Sequence, residues 1–320
     1  MLDVFFTVDV EIWCDGWTNI DEKFPSAFRK YIYGPTARGN FGLPYQLAVL
    51  NDHGLTGVFF IEPLFSTHFG EQPLAEIVGL VREGGQEMQL HLHTEWVDES
   101  TQSLLEGTRV KRQHLRYFSL QEQTVLIALG LRLLRQAGAP SIDAFRAGSF
   151  AFDANTLRAL AASGVTFDSS YNASMFGPDS GVMPGVTVVE PIACAGVYEY
   201  PMTVFNDGTN ALRHTQLTAC SYLEMEALLW QALDSGRSAF TILCHNFELL
   251  NQALDRSDAV VVKRLEKLCR FLDRNRDSFR VRGYQGLKPQ ATQVQPTPLT
   301  SPLWRTGARA LQQAYRRTYG

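Results

Sequence analysis

The first apolar run of the chain, Val4–Val10, gives out in two acids, Asp9 and Glu11. A later run ends in His91-Leu92-His93-Thr94-Glu95, and three others end at Arg146, Asp168 and His245. A hard or borderline divalent cation takes carboxylates and imidazoles as ligands and keeps positions open for water and substrate. Glu11, His91 and a third ligand from His93 or Glu95 meet that requirement. Spacing of two puts Asp9 and Glu11 on one side of a regular strand, so one acid can bind metal while the other stays available as a base. His91 and His93 share a side by the same rule, whereas His91 and Glu95 would meet if the chain turned helical after the strand. Taken singly, an aspartate at a strand end is commonly a cap and a histidine commonly structural. Reactive side chains at five strand ends point instead to a shared site.

These strand ends need a scaffold that delivers them to one rim. Short β-branched and aromatic runs alternate with helical patterns: strands at 4–10, 56–62, 87–93, 144–146, 165–168, 197–200 and 238–244, helices at 44–52, 74–83, 120–136, 153–162, 222–234 and 259–274. Such alternation implies parallel strands covered by helices. A count of seven or eight strands favours a barrel, in which active residues gather at the C-terminal strand ends. Residues 1–288 are read as this catalytic unit. The loops Asp15–Leu43, Val97–Ser119 and Tyr171–Gly185 fall on the same rim and are expected to shape specificity. Trp13, Trp17 and Trp96 flank the metal-binding segments. Trp13 and Trp96 are the candidates to line a substrate cleft with their aromatic faces, with core packing as the plainer alternative.

Composition narrows the class. With 320 residues, 45% of them hydrophobic, the chain can bury a large core, and a net charge of −4 argues against nucleic acid as the main partner. The five cysteines are scattered without a C-x-x-C pair, which suggests reduced thiols and, with no visible signal peptide, a cytoplasmic setting. No apolar run approaches the roughly 18 residues of a membrane span. Residues 289–302 (PQATQVQPTPLTSP) read as a linker and 303–320 as a basic amphipathic tail helix. Four arginines and no acid fall between Pro289 and Gly320, leaving about −8 on the remainder. Trp304, Ala308, Leu311 and Tyr315 recur at helical spacing, with Arg305, Arg309 and Arg316 on the adjacent face. This helix is expected to dock on the body, or else to meet an anionic membrane surface or an acidic protein.

In order along the chain, FFTVDVE (5–11), TGVFFIE (56–62), LVREGGQEMQLHLH (80–93), FRAGSF (145–150), FDSSY (167–171) and ILCHNF (242–247) resemble the motifs of the polysaccharide deacetylase family, carbohydrate esterase family 4. The resemblance covers residues 4 to about 250. It implies an α/β fold of the distorted (β/α)7–8 barrel type and hydrolysis of an acetamide on an N-acetylated sugar or saccharide. It implies a divalent metal, zinc by default, with cobalt, nickel or iron also fitting. By position, Asp9 becomes the general base, Glu11 and His91 metal ligands, Arg146 the partner of the base, His245 the acid for the leaving amine and Asp168 its orienting carboxylate. The chain departs from the family where a second histidine is expected four residues after His91. Glu95 stands there, and His93, two residues on, is the favoured third ligand. Hydrolysis of another linear amide or of a cyclic imide is a related alternative, and a carbohydrate-binding protein without catalysis a more distant one.

Overall fold

Strand Leu2–Val10 (β1) is buried along its whole length, as a parallel strand covered on both faces must be. The computed structural model that shows this describes residues 1–106 and 111–319, without the side chains of Tyr315 and of 317–319. Part of the expected 97–119 loop and the expected apolar role of Tyr315 therefore lie outside the described residues.

In chain order the elements are α1 (Ile20–Phe28), α2 (Leu43–Asp52), β2 (Gly57–Ile61), α3 (Glu71–Glu83), β3 (Glu87–Leu92), α4 (Leu120–Gln136), β4 (Ala144–Ala147), α5 (Ala154–Ala162), β5 (Phe167–Asp168), β6 (Ile192–Cys194), β7 (Val197–Glu199), β8 (Val204–Asn206) and β9 (Leu212–His214). They continue with α6 (Tyr222–Asp234), β10 (Ala239–His245), α7 (Ala259–Arg274), β11 (Phe279–Val281), β12 (Leu299–Thr300) and α8 (Leu303–Tyr319). The chain divides into one unit made of Met1–Gly57, Val204–Arg282 and Pro298–Gly320, and a second made of Val58–Thr203 and Gly283–Thr297.

In the first unit β10 runs parallel to β1 from Asp3 opposite Ala239 to Asp9 opposite His245, and β11 runs parallel to its first residues. The Thr7 hydroxyl, buried mid-strand, donates to the Ile242 carbonyl at 2.8 Å. α7 buries Val261, Leu265, Leu268 and Leu272 at helical spacing. Its first turn is capped by Asp258, which accepts from the Val260 and Val261 amides. The segment 15–43, expected to be a loop, contains α1. Pro25 inside that helix hid it, because proline normally argues against a helix interior. The tail forms α8. Arg309 on it is buried and donates to Glu224 Oε1 at 2.6 Å and Asp207 Oδ2 at 3.2 Å.

In the second unit β2, β3, β4, β5 and β7 are parallel neighbours, and β6 lies antiparallel on β7. The register places His91 opposite Arg146. A buried polar ladder at the start of β3 fixes that register. Gln89 accepts from the Asp143 and Ala144 amides at 2.8 and 2.7 Å, which ties down the start of β4. Its Nε2 donates to Glu87, whose carboxylate also accepts the Tyr284 and Gln285 amides. Burial raises the Glu87 pKa against these hydrogen bonds. Within the stretch read as a linker, Gln295 accepts from the Val189 and Glu190 amides in this unit, and Leu299–Thr300 pairs with β8 in the other.

Glycine 283 leaves room for the Glu87 carboxylate: a Cβ there would lie 1.9 Å from Glu87 Oε2. Gly283→Ala is expected to cost about 3 kcal/mol by pushing the carboxylate off its buried donors. Gly79, inside α3 with nothing within 4 Å of its Cβ position, should gain about 1 kcal/mol as alanine. Urea unfolding of the two variants checks the pair. A Gly283→Ala protein as stable as wild type would contradict the ladder's role.

Candidate active site

The first unit brings three of the expected residues together. Asp9 and His245 end adjacent parallel strands at the same level. Metal-capable atoms of Asp9, Glu11 and His245 all lie within 4.8 Å of one another. Past the end of β1 the Glu11 backbone is held by a side chain instead of a strand. Asn246 accepts the Glu11 amide at 3.0 Å, and its Nδ2 donates to the carbonyls of Glu11 and Tyr31 at 3.1 and 2.7 Å. The Trp13 indole donates to Glu11 Oε2 at 2.9 Å and meets Trp17 edge to face. Trp13 thus orients a carboxylate, a contact that its spacing did not reveal.

His245 is fixed from two directions. Gln46 Nε2 donates to its carbonyl at 2.8 Å, and Glu248 Oε1 lies 2.6 Å from its Nδ1. Gln216 donates to the same Glu248 oxygen, and its own carbonyl oxygen lies 3.1 Å from His214 Nε2. Burial alone would lower the His245 pKa. The hydrogen bond and charge of Glu248, then the charges of Glu11 and Asp9, outweigh it and raise the value from 6.5 to about 9. The imidazole is therefore an imidazolium at neutral pH, able to donate a proton from Nε2.

By the family resemblance, Asp168 was expected to orient His245. In the structure the carboxylate on His245 Nδ1 is Glu248, one turn along the same segment. Asp168 is fully buried in the second unit and accepts from the Ser170 hydroxyl at 2.6 Å. Opposite it in register stands Glu199, equally buried, which accepts the Tyr171 amide at 3.0 Å. Burial, then the charge of Asp168, pushes the Glu199 carboxyl well above the usual range.

The second unit also assembles the histidines. His91 Nδ1 lies 2.8 Å from the Arg146 carbonyl. A carbonyl only accepts, so Nδ1 carries the proton and Nε2 the lone pair, the tautomer a metal ligand requires. His93 Nδ1 lies 3.2 Å from Glu95 Oε2, which favours the same tautomer. The two rings are buried and 4.9 Å apart at 81°. Gly148 permits this packing, since a Cβ there would lie 2.7 Å from the Leu92 carbonyl oxygen and 2.8 Å from His93 Nδ1. The next two residues, Ser149 and Phe150, both take positive φ (54° and 55°), a backbone conformation costly for side-chain-bearing residues. The Arg146 guanidinium donates to the Ser169 carbonyl and hydroxyl and lies 4.3 Å from the Phe60 ring centroid.

Trp96 does not offer a face to a sugar ring. It is 1% exposed and packs edge to face on Phe65 and Phe69, because the chain enters a 3-10 turn at Thr94 and carries the indole inward.

One consequence is measurable without substrate. A histidine whose folded pKa stands above its ordinary value adds stability that is complete below about pH 6.5 and lost as pH rises through about 9. In metal-free protein, Glu248→Gln should lower the His245 pKa by one unit or more in an NMR titration and flatten the loss of stability over that window. An unmoved pKa would remove Glu248 from this role.

No family model and no curated protein matches the sequence. Solved structures do. A putative polysaccharide deacetylase from Mycobacterium smegmatis superimposes with a TM-score of 0.54 at 17% identity, over 92% of this chain and 94% of that one. A family 4 carbohydrate esterase from Streptomyces lividans, in complex with acetate, gives 0.44 at 13% identity over 92% and 97%. A family 4 pseudoenzyme from Bacillus anthracis gives 0.39 at 10% identity over 85% and 60%. The α/β fold of this chain, read from its sequence as a distorted barrel, is the fold of the mycobacterial deacetylase-like protein.

Proposed function

We propose that the chain is a metal-dependent deacetylase that hydrolyses the acetamide of an N-acetylated saccharide, releasing acetate. The observation that supports this most directly is the pairing, at the ends of β1 and β10, of a carboxylate with an imidazole held by Glu248. General base and general acid are the two groups that amide hydrolysis needs, because water must lose a proton and the amine must gain one to leave.

In this reading Glu11, His91 and His93 hold one divalent cation. A carboxylate and two neutral imidazoles suit zinc, cobalt, nickel or iron. Glu95 is assigned as the carboxylate behind His93 instead of a ligand, the usual outer partner of a metal-binding histidine. When bound, the metal would polarise the acetamide carbonyl and acidify a water molecule. Asp9 takes the proton of the attacking water. The C–N bond breaks as His245 gives its Nε2 proton to the departing nitrogen, leaving acetate and a free amine. Glu248 keeps His245 charged until that moment, and Trp13 and Asn246 hold Glu11 in place. Arg146 is assigned to the site as a fixed positive charge.

Acetate release from N-acetylglucosamine oligosaccharides tests the reading. Activity should disappear on chelation and return with added zinc or cobalt. Asp9→Asn should keep its metal and lose about 10²–10⁴-fold in kcat, the usual effect of removing a general base. Turnover of cyclic imides with no acetate from acetylated sugars would overturn the substrate class. Near wild-type turnover in Asp9→Asn would overturn the mechanism.

A further inference from the structure

α8 is amphipathic in the opposite sense from a docked surface helix. Positions turn by about 100° per residue, so Arg305, Arg309 and Arg316 fall on one side and Leu303, Trp304, Gly307, Ala308, Ala310 and Leu311 on the other. The polar side faces the protein. Arg309 is 2% exposed between Glu224 and Asp207, Arg316 pairs with Asp258 at 2.6 Å, and the Thr306 hydroxyl donates to the Asp207 carbonyl at 2.6 Å. The apolar side faces water: Leu303, Trp304 and Leu311 are 62%, 64% and 75% exposed. Burying apolar area normally holds a helix to its body, whereas here ion pairs do, and the face that would gain most from leaving water is left outside.

We propose that this outer face of α8 lies on a lipid bilayer surface, with Leu303, Trp304 and Leu311 inserted at the boundary between headgroups and acyl chains. Three observations favour lipid over a protein partner. A helix of this length presents a strip of about 25 Å by 10 Å, so pairing with a second copy would bury roughly 500 Å² in all, short of the ~1,200 Å² of a stable interface. Small residues between the three large ones give a smooth strip, which a fluid surface can cover without a matching shape. Trp304 has the Arg305 guanidinium 5.0 Å from its ring centroid, so a cation stands at the border of the strip, at the depth where tryptophan and arginine meet headgroups. No helix among the described residues is long and apolar enough to cross a membrane.

The basic tail was expected to dock on the body, or else to meet an anionic membrane surface or an acidic protein. The structure commits Arg309 and Arg316 to internal carboxylates, so attraction comes from the apolar face and does not depend on anionic lipid. Residues 289–320 hold no acid that headgroup phosphates would repel.

Cosedimentation of the full chain with phosphatidylcholine vesicles tests this. Binding is expected on neutral vesicles and should persist at high salt. Trp304→Glu and Leu311→Glu should each lower the partition coefficient roughly tenfold or more, the value of burying one large apolar side chain. Their thermal unfolding should match wild type, which separates a lost contact from a lost fold. No binding, unchanged binding in both variants, or binding only to anionic vesicles and abolished by salt would each overturn the proposal. So would a dimer in sedimentation equilibrium that Leu311→Glu dissociates while vesicle binding is absent.

Discussion

The parallel register that sets Asp9 opposite His245 is the constraint on which the first unit's chemistry depends. β1 is covered on both faces, so apart from Asp3 and Thr7 it is apolar as far as Asp9, which stands at its C-terminal end. A slip of one residue would send Asp9 to the opposite face and take Glu11 with it. Asn246 and Gln46 hold the register beyond the strands, one by bracketing the Glu11 backbone and the other by anchoring the His245 carbonyl. In the second unit the pairing of His91 with Arg146 does the same work, fixed from the far end of β3 by Glu87 and Gln89.

A second regularity concerns the atoms that would not touch a metal or substrate. His91 Nδ1 is taken by a carbonyl, His93 Nδ1 by Glu95, His245 Nδ1 by Glu248, and Glu11 Oε2 by Trp13. Each of these side chains is thereby limited to one orientation, and His91 and His93 to one tautomer, which is what preorganisation requires. The same burial has a cost at Asp168 and Glu199, where it raises both carboxyl pKa values and each charge disfavours the other.

Local periodicity made the frame legible. The bounds of α4, α6 and α7 fall where hydrophobic spacing, caps and stops put them. The reactive residues were legible because they stand where apolar runs end. Partners set by distant register were not. Glu199 reaches Asp168 only through the pairing of β5 with β7, and the acids that draw Arg309 inward lie on α6 and just past β8. The spacing of α8 showed two faces and could not say which would be buried. Glu248 was nearer to hand: an acid three residues after His245, in a turn, is within reach of the ring, and that signal was in the sequence. Trp96 turned inward because a 3-10 turn rotates its side chain away from the side a strand would give it.

The proposal that Glu11, His91 and His93 hold a single metal ion is tested most directly by metal stoichiometry. Wild-type protein stripped of metal and titrated with zinc should bind one tight equivalent. Glu11→Ala and His91→Ala, each folded, should weaken that binding by several orders of magnitude. Tight stoichiometric binding that survives both substitutions would contradict the account.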